Sequence, residues 1–283
     1  MLQQPKFSYS SRRANAHLAM TPHYGEALAD IAQGVTLVDM WGRMGWADVK
    51  RRYRRTVIGP FWQSLSLLIF VLAMSVVWAS LFNMDVKEYL PYLNSGIMVW
   101  MLLSAFITDG STIFISADGL IKQLKISYTM LICAMLWRSL ITFAHNLAIY
   151  VPIYLLAGLP INGYLLLAIP GLAILCLNGA WIAFVLGMLV ARYRDVQQIV
   201  ASFLQIALFI TPIFWSPDQL KGTKTLLVHL NILYHYVEIV RDPLLGKPPS
   251  LQSWLVVGFA TICGWSVALY LFARFQRRIA YWV

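Results

Sequence analysis

One run of residues limits this chain more than any other: positions 61–82, FWQSLSLLIFVLAMSVVWASLF, carry no charge at all. As an α-helix the run rises about 33 Å, enough to cross a hydrocarbon core of about 30 Å. Trp62 and Trp78 stand near its two ends, where aromatic belts form at membrane surfaces. Further apolar runs follow at residues 92–114, 129–157, 165–191, 199–215 and 254–272. The pattern predicts an all-α polytopic membrane protein with about six transmembrane helices. Composition agrees, because 12% charged residues is about half the share a soluble domain uses to cover its surface.

The charge that remains is uneven. Arg and Lys gather before residue 60, in the short connections after the second and fourth spans, and from Arg274 onward. The opposite side holds only Lys87, Lys221, Lys224, Arg241 and Lys247, with Arg138 inside the third span. By the positive-inside rule both ends of the chain are expected in the cytoplasm. The net charge of +10 then comes from flanking loops, and no nucleic-acid partner is implied. Cys133, Cys176 and Cys263 each fall in a separate apolar run and read as small hydrophobes. The first residues lack the apolar core of a cleavable signal peptide.

Three regions follow from this reading. Residues 1–35 form a polar cytoplasmic N-terminal segment, expected to be loosely ordered or to lie on the cytoplasmic surface. Residues 36–60 hold an amphipathic interface helix, with Leu37, Met40, Trp41 and Met44 at helical spacing and a basic end. That face suits either the membrane surface or the body of the protein. Residues 61–283 form the six-span domain. Within it, residues 216–253 carry Pro217, Pro243, Pro248 and Pro249 between apolar pieces too short to cross. They are expected to form an extracytoplasmic re-entrant hairpin between spans five and six, tolerated where protein or water satisfies the backbone.

The chain shows no phosphate-binding glycine loop for ATP, no nucleophile elbow and no His-rich metal set. Asp109 is the only acid predicted inside a span, which weighs against a proton-coupled carrier or a membrane-embedded transferase. No catalytic or metal-ligating residue is therefore assigned. Gly179, Ala183, Gly187 and Ala191 form a row of small residues at fourfold spacing, suited to close helix contact within one protomer or between two.

The stretch from Arg52 to Trp62, R-Y-R-R-T-V-I-G-P-F-W, resembles the signature of a known family at the mouth of the first span. Arg194-Asp195 with Val196 and Ile199 resembles its turn between spans four and five. Residues 231–241, NILYHYVEIVR, followed by Pro243-Leu244-Leu245-Gly246, resemble its segment before the last span, with Ile232 where family members often carry Pro. That family comprises the permease subunits of ABC-2 type exporters for lipid-linked O-antigens, capsular polysaccharides and teichoic acids. The resemblance implies a transport subunit of the bacterial cytoplasmic (inner) membrane. It implies a homodimer working with two copies of a separate ABC ATPase, which binds ATP and Mg, and with a polyprenyl-pyrophosphate-linked glycan. A permease for another lipid or a drug is the nearest alternative.

Candidate roles follow. Phe61, Trp62, Trp78, Phe203, Phe209, Phe214 and Trp215 offer planes on which sugar rings can stack along a pathway; an ordinary aromatic belt explains them too. Arg51, Arg52, Arg54 and Arg55 suit the carrier pyrophosphate, though the positive-inside rule accounts for them equally. The resemblance assigns ATPase coupling to the loop carrying Asp118, Lys122 and Lys125 and to the turn at Arg194 and Asp195. It assigns an extracytoplasmic gate to Tyr234, His235, Glu238 and Arg241, which share a helical face.

Overall fold

The structure is a computed structural model, and it describes residues 22–52, 54, 59, 61–124, 126–217 and 228–283. The expected sites Arg55 and Lys125, and residues 218–227 of the expected hairpin, lie outside the described residues. In chain order the helices are α1 Tyr24–Thr36, α2 Val38–Arg52, α3 Phe61–Phe82, α4 Val86–Ser116, α5 Asp118–Gln123 and α6 Tyr128–Leu156. A 3₁₀ turn, Gly163–Leu167, leads into α7 Ala168–Arg192, followed by α8 Val196–Ile210, α9 Ile232–Leu244 and α10 Leu251–Trp282.

Among the described residues five helices are long and apolar enough to cross a membrane: α3, α4, α6, α10 and the continuous unit Gly163–Arg192. The polytopic all-α fold expected from the apolar runs is present. The fifth expected crossing differs. Its residues are helical only as far as Ile210, the end of the 15-residue α8, which rises roughly 22 Å and is followed by Thr211 and Pro212. Proline removes a helical donor and disfavours helix at the preceding residue, so the apolar run continues while the helix cannot.

α4 is the axis of the bundle, with most of its apolar stretch buried against its neighbours. Its chief partner is α7, and the small-residue row is what lets the two approach. A Cβ on Gly110 would lie 2.9 Å from the Ala183 methyl, one on Gly187 would meet Phe114 at 3.0 Å, and one on Gly179 would meet Phe106 at 2.7 Å. The row therefore packs within the protomer. In lipid, where apolar burial gives helices no drive to associate, such close van der Waals contact holds them together.

Several connections are capped in sequence-local ways. Asp85 accepts from the Lys87 amide at the start of α4, and Ser127 accepts from the Met130 amide at the start of α6. Asn231 accepts from the Leu233 amide at the start of α9. Each satisfies a helix-terminal donor left without an intrahelical partner. α9 ends at Gly246, whose φ of +75° is left-handed and whose hydrogen side faces Pro160 at 3.0 Å, so a side chain there is excluded twice.

The N-terminal region departs from the expected loose order, because α1 occupies most of the described part of it. Asp30 on α1 accepts from the Tyr128 and Thr129 amides at 3.0 Å each and from the Thr129 hydroxyl at 2.7 Å. Gly34 lets α1 approach that same helix start, and Glu26 pairs with Arg277 on α10. α2 then lies along α6, with Gly45 over the Ala134 carbonyl and Trp41 edge-on to Trp137 at 6.1 Å. Leu37, Trp41 and Met44 of the expected amphipathic face turn inward against the protein, while Met40 is about half exposed.

Candidate functional site

The residues that carry function by expectation fall toward the two ends of the bundle, set by the direction of each helix. One end of the bundle carries α1, α2, α5, the α7–α8 turn and the end of α10. The other end carries the α3–α4 connection, the 3₁₀ turn, the break after α8 and α9.

That break is the best-built polar site in the molecule. Irregular backbone at membrane depth is tolerated only where its polar groups are taken up by protein or by a water-lined cavity. Here the freed carbonyls are collected one by one. Tyr89 on α4 donates to the Phe214 carbonyl at 2.5 Å, and Tyr92 donates to the Trp215 carbonyl at 3.0 Å. Arg241 on α9 donates to the Pro212 carbonyl at 2.6 Å and to the Tyr92 hydroxyl at 3.0 Å. The Asn231 amide reaches the Thr211 hydroxyl at 3.0 Å. The Arg241 guanidinium also lies over the Tyr92 ring at 4.6 Å, an arrangement that favours a cation held out of water.

α9 itself is buried on all sides except at Ile232 and Asp242. It descends between α4, α7 and α10 far enough for Tyr236 to donate to Asn178 of α7 at 2.7 Å. Gly171 makes room for the Ile239 carbonyl, and Tyr150 of α6 donates to the Leu244 carbonyl at 2.9 Å. The expected gate residues Tyr234, His235, Glu238 and Arg241 are thus brought together on one helix and are all buried. They pair partly along it and partly with other helices. Glu238 accepts a short hydrogen bond from Ser253 of α10, with His235 at 3.8 Å, while Arg241 turns to the α8 break.

The charges respond accordingly. Burial alone would raise the Glu238 carboxyl, but hydrogen bonds from His235, Ser253 and Ser250 and the charge of Arg241 bring it down to about 2. Burial lowers the affinity of His235 for a proton, yet its bonds to Glu238 and to the His229 carbonyl leave it above its ordinary value. Asp242 faces an open cleft, and burial pushes it up to about 6 against the pull of Arg241 and Lys247.

Beside this site the aromatics form a ladder. Phe82 stacks on Trp78 at 5.3 Å, Trp78 on Phe214 at 5.8 Å, and Phe214 on Phe209 at 5.8 Å. Trp215 donates its indole N–H to the Phe209 carbonyl. The expected set therefore divides. Trp78, Phe209, Phe214 and Trp215 meet, Phe203 lies further back on the exposed face of α8, and Phe61 and Trp62 sit exposed at the opposite end of α3. Phe61 there packs edge-on to His145 at 5.3 Å.

At the basic end, Arg51 is exposed and pairs with Asp48 at 3.2 Å. Arg138 of α6 bridges Asp48 of α2 at 3.1 Å and Asp109 of α4 at 2.8 Å, which ties the N-terminal helix to the bundle axis. Arg52 lines a cleft of about 50 Å³ with Asp109 and Arg138, and Arg54 is exposed. Asp118 and Lys122 pair across one turn of α5 at 3.6 Å on the surface. Arg194 and Asp195 are exposed in the α7–α8 turn, where Arg194 reaches the Trp282 carbonyl at 3.4 Å.

Tyr89, Tyr92, Pro212, Asn231 and Ser253 were not anticipated as site residues. The Thr211-Pro212 step inside an apolar run was the available signal for the break. Nothing local marks which distant hydroxyls will collect its carbonyls. Among the described residues no group of three or more His, Cys, Asp or Glu side chains is arranged to hold a metal ion.

Spanning helices around a broken short one, with a polar helix buried beside the break, define a polytopic membrane protein of transporter type. The ABC-2 type transporter profile matches residues 41–245. The chain belongs to the ABC-2 type transporter family, as the motif resemblance led one to expect. Among characterised relatives it is 18% identical over 234 residues to the O-antigen export system permease protein RfbA of Klebsiella pneumoniae, covering 82% of this chain and 90% of that protein. It is 21% identical over 191 residues to the protein of the same name from Myxococcus xanthus, covering 65% of this chain and 72% of the relative.

Proposed function

We propose that the chain is the permease subunit of an ATP-driven exporter that moves a lipid-linked polysaccharide, of the O-antigen type, across a bacterial cytoplasmic membrane. The observation that carries this reading is the aromatic ladder at the edge formed by α3 and the broken α8. Sugar rings present apolar C–H faces that stack on aromatic planes and slide along them without a fixed register. The names of the relatives, both O-antigen export permeases, point to the same cargo class.

In this reading two copies face each other across the α3–α8 edges, and the glycan passes between them. α9 acts as a re-entrant plug at the exit, tied to the α8 break by Arg241. Movement of α8 and movement of α9 are then one event. The basic end faces the cytoplasm, where α5 and the Arg194-Asp195 turn contact two copies of an ATPase that binds ATP and Mg. Arg51, Arg52, Arg54 and Arg55 receive the pyrophosphate of the polyprenyl carrier. Hydrolysis belongs to the partner, and the permease supplies the path.

The test pairs biochemistry with genetics. The chain co-purified with its genomically adjacent ATPase should hydrolyse ATP faster when lipid-linked glycan is added, and deletion of the chain should trap glycan inside the cell. A normal surface glycan in the deletion strain would discard the reading.

A further inference from the structure

The last turns of α10 form a second site, far from the α8 break. Tyr270, Arg274 and Arg278 recur at fourfold spacing and so share one helical face, which ends at Tyr281 and Trp282. Arg274, Arg278, Tyr281 and Trp282 line a pocket of about 420 Å³ with His23 and Arg277. His23 is held there by its backbone amide, which donates to the Ala273 carbonyl at 2.8 Å. Trp282 is steadied by the Arg192 guanidinium at 5.5 Å from its ring.

Among the described residues, Arg274 and Arg278 lack the carboxylate partner that the third arginine of this pocket, Arg277, has. Arg277 is taken by Glu26, and Arg138 by Asp48 and Asp109. Arg274 and Arg278 are both half-buried. Arg274 donates to the Tyr270 hydroxyl at 2.7 Å, but its Nε is buried without a partner. So is Nε2 of His23. An unmet guanidinium donor and an unpartnered imidazole nitrogen beside unpaired cations ask for a ligand with several oxygens and a negative charge.

The position narrows the ligand. α10 has 32 residues and rises about 48 Å, so its C-terminal turns pass beyond a hydrocarbon core of about 30 Å. Arg274 and Arg278 stand at headgroup level, and Tyr281 and Trp282 are residue types that favour that layer. We propose that this pocket binds the phosphate of an anionic lipid through Arg274, Arg278 and His23. The site is separate from the basic run at Arg51 to Arg55 and does not depend on the nature of the exported cargo.

Native mass spectrometry of the full chain in mild detergent, titrated with phosphatidylglycerol or phosphatidylethanolamine, tests this. The unaltered chain should prefer phosphatidylglycerol. The double variant R274Q/R278Q should lose about thirtyfold in affinity for it while keeping its elution volume and melting temperature. K87Q, at the other end of the bundle, should bind normally. Should the double variant fail to fold, R278Q alone should lose about fivefold. Unchanged binding by the folded variants, no preference for phosphatidylglycerol, or an equal loss in K87Q would each overturn the site. Competition by a polyprenyl pyrophosphate upholds the site and assigns it to the carrier lipid; failure to compete upholds it as a phospholipid site. Displacement by inorganic pyrophosphate at the same concentration would overturn the lipid assignment.

Discussion

Asp30 shows how much one side chain settles at the basic end. Its carboxylate takes two amides and a hydroxyl from the first turn of α6, where the helix dipole favours negative charge. Replacing a cap of this kind costs about 1–2 kcal/mol. Asp30→Ala should lower the apparent melting temperature in detergent and expose α1 to limited proteolysis before the spans. An unchanged digestion pattern would count against the docking of α1. At the other end of the bundle Asp242 offers a pH test. Its folded pKa of about 6 lies above its ordinary 3.8, so the folded state binds the proton more tightly than the unfolded one. Stability must then fall as pH rises from about 4 to about 6. The opposite sign holds for Glu238, whose stabilising contribution persists above 4.5 and is lost only as pH falls toward about 2. Melting curves of the native chain and of Asp242→Asn should diverge over the 4–6 window, with the variant losing that slope. Such residue roles were only partly legible in sequence. Helical spacing put Tyr234, Glu238 and Arg241 on one face, but a period says nothing about whether neighbours on that face pair with each other or with α10 and α8.

At the scale of elements, the apolar runs located the long helices because lipid demands both length and continuity of apolar residues. In residues 199–215 they overstate only the length of the helix: hydropathy counts apolar residues and is blind to the Pro212 that stops it. The small-residue row of α7 was visible, but its partner was not, since four small residues suit any close neighbour. The structure gives it to α4, and that assignment can be tested by contrast. A side chain on Gly110 collides with both the Cα and the Cβ of Ala183, whereas a Cβ on Gly258 of α10 meets nothing within 4 Å. Gly110→Val should destabilise by about 1–3 kcal/mol through overpacking. Gly258→Ala should be neutral or should stabilise by up to about 1 kcal/mol from helix propensity. Thermal melts of the two variants in the same detergent compare them directly, and equal effects would remove the distinction drawn here.

For the whole molecule the question is which apolar surface meets a second copy and which meets lipid. α10 and α3 both expose large hydrophobic side chains, Leu255, Phe259 and Ile262 on the first and Ile69, Val76 and Leu81 on the second. Hydrophobicity cannot separate them. The backbone can. α10 is a continuous helix with its hydrogen bonds internal, so it tolerates lipid along its full length. α8 has only 15 residues, gives way to irregular backbone before the far end of the bundle, and shows Ile199, Phe203, Ile206 and Ile210 on one exposed face. An edge of that kind is costly in lipid and stable beside protein or water, so in the homodimer proposed above the two copies would meet along α8 and the neighbouring α3. With the native cysteines replaced, single cysteines at Val76 or Phe203 should give disulfide-linked dimers in membranes under mild oxidation, and one at Leu255 should not. Bound nucleotide and the partner ATPase should change the yield at Phe203 if α8 moves with the transport cycle. Cross-linking at Leu255 in preference to Val76 and Phe203 would place the partner on α10 and leave the aromatic ladder facing lipid, where it has no access to cargo.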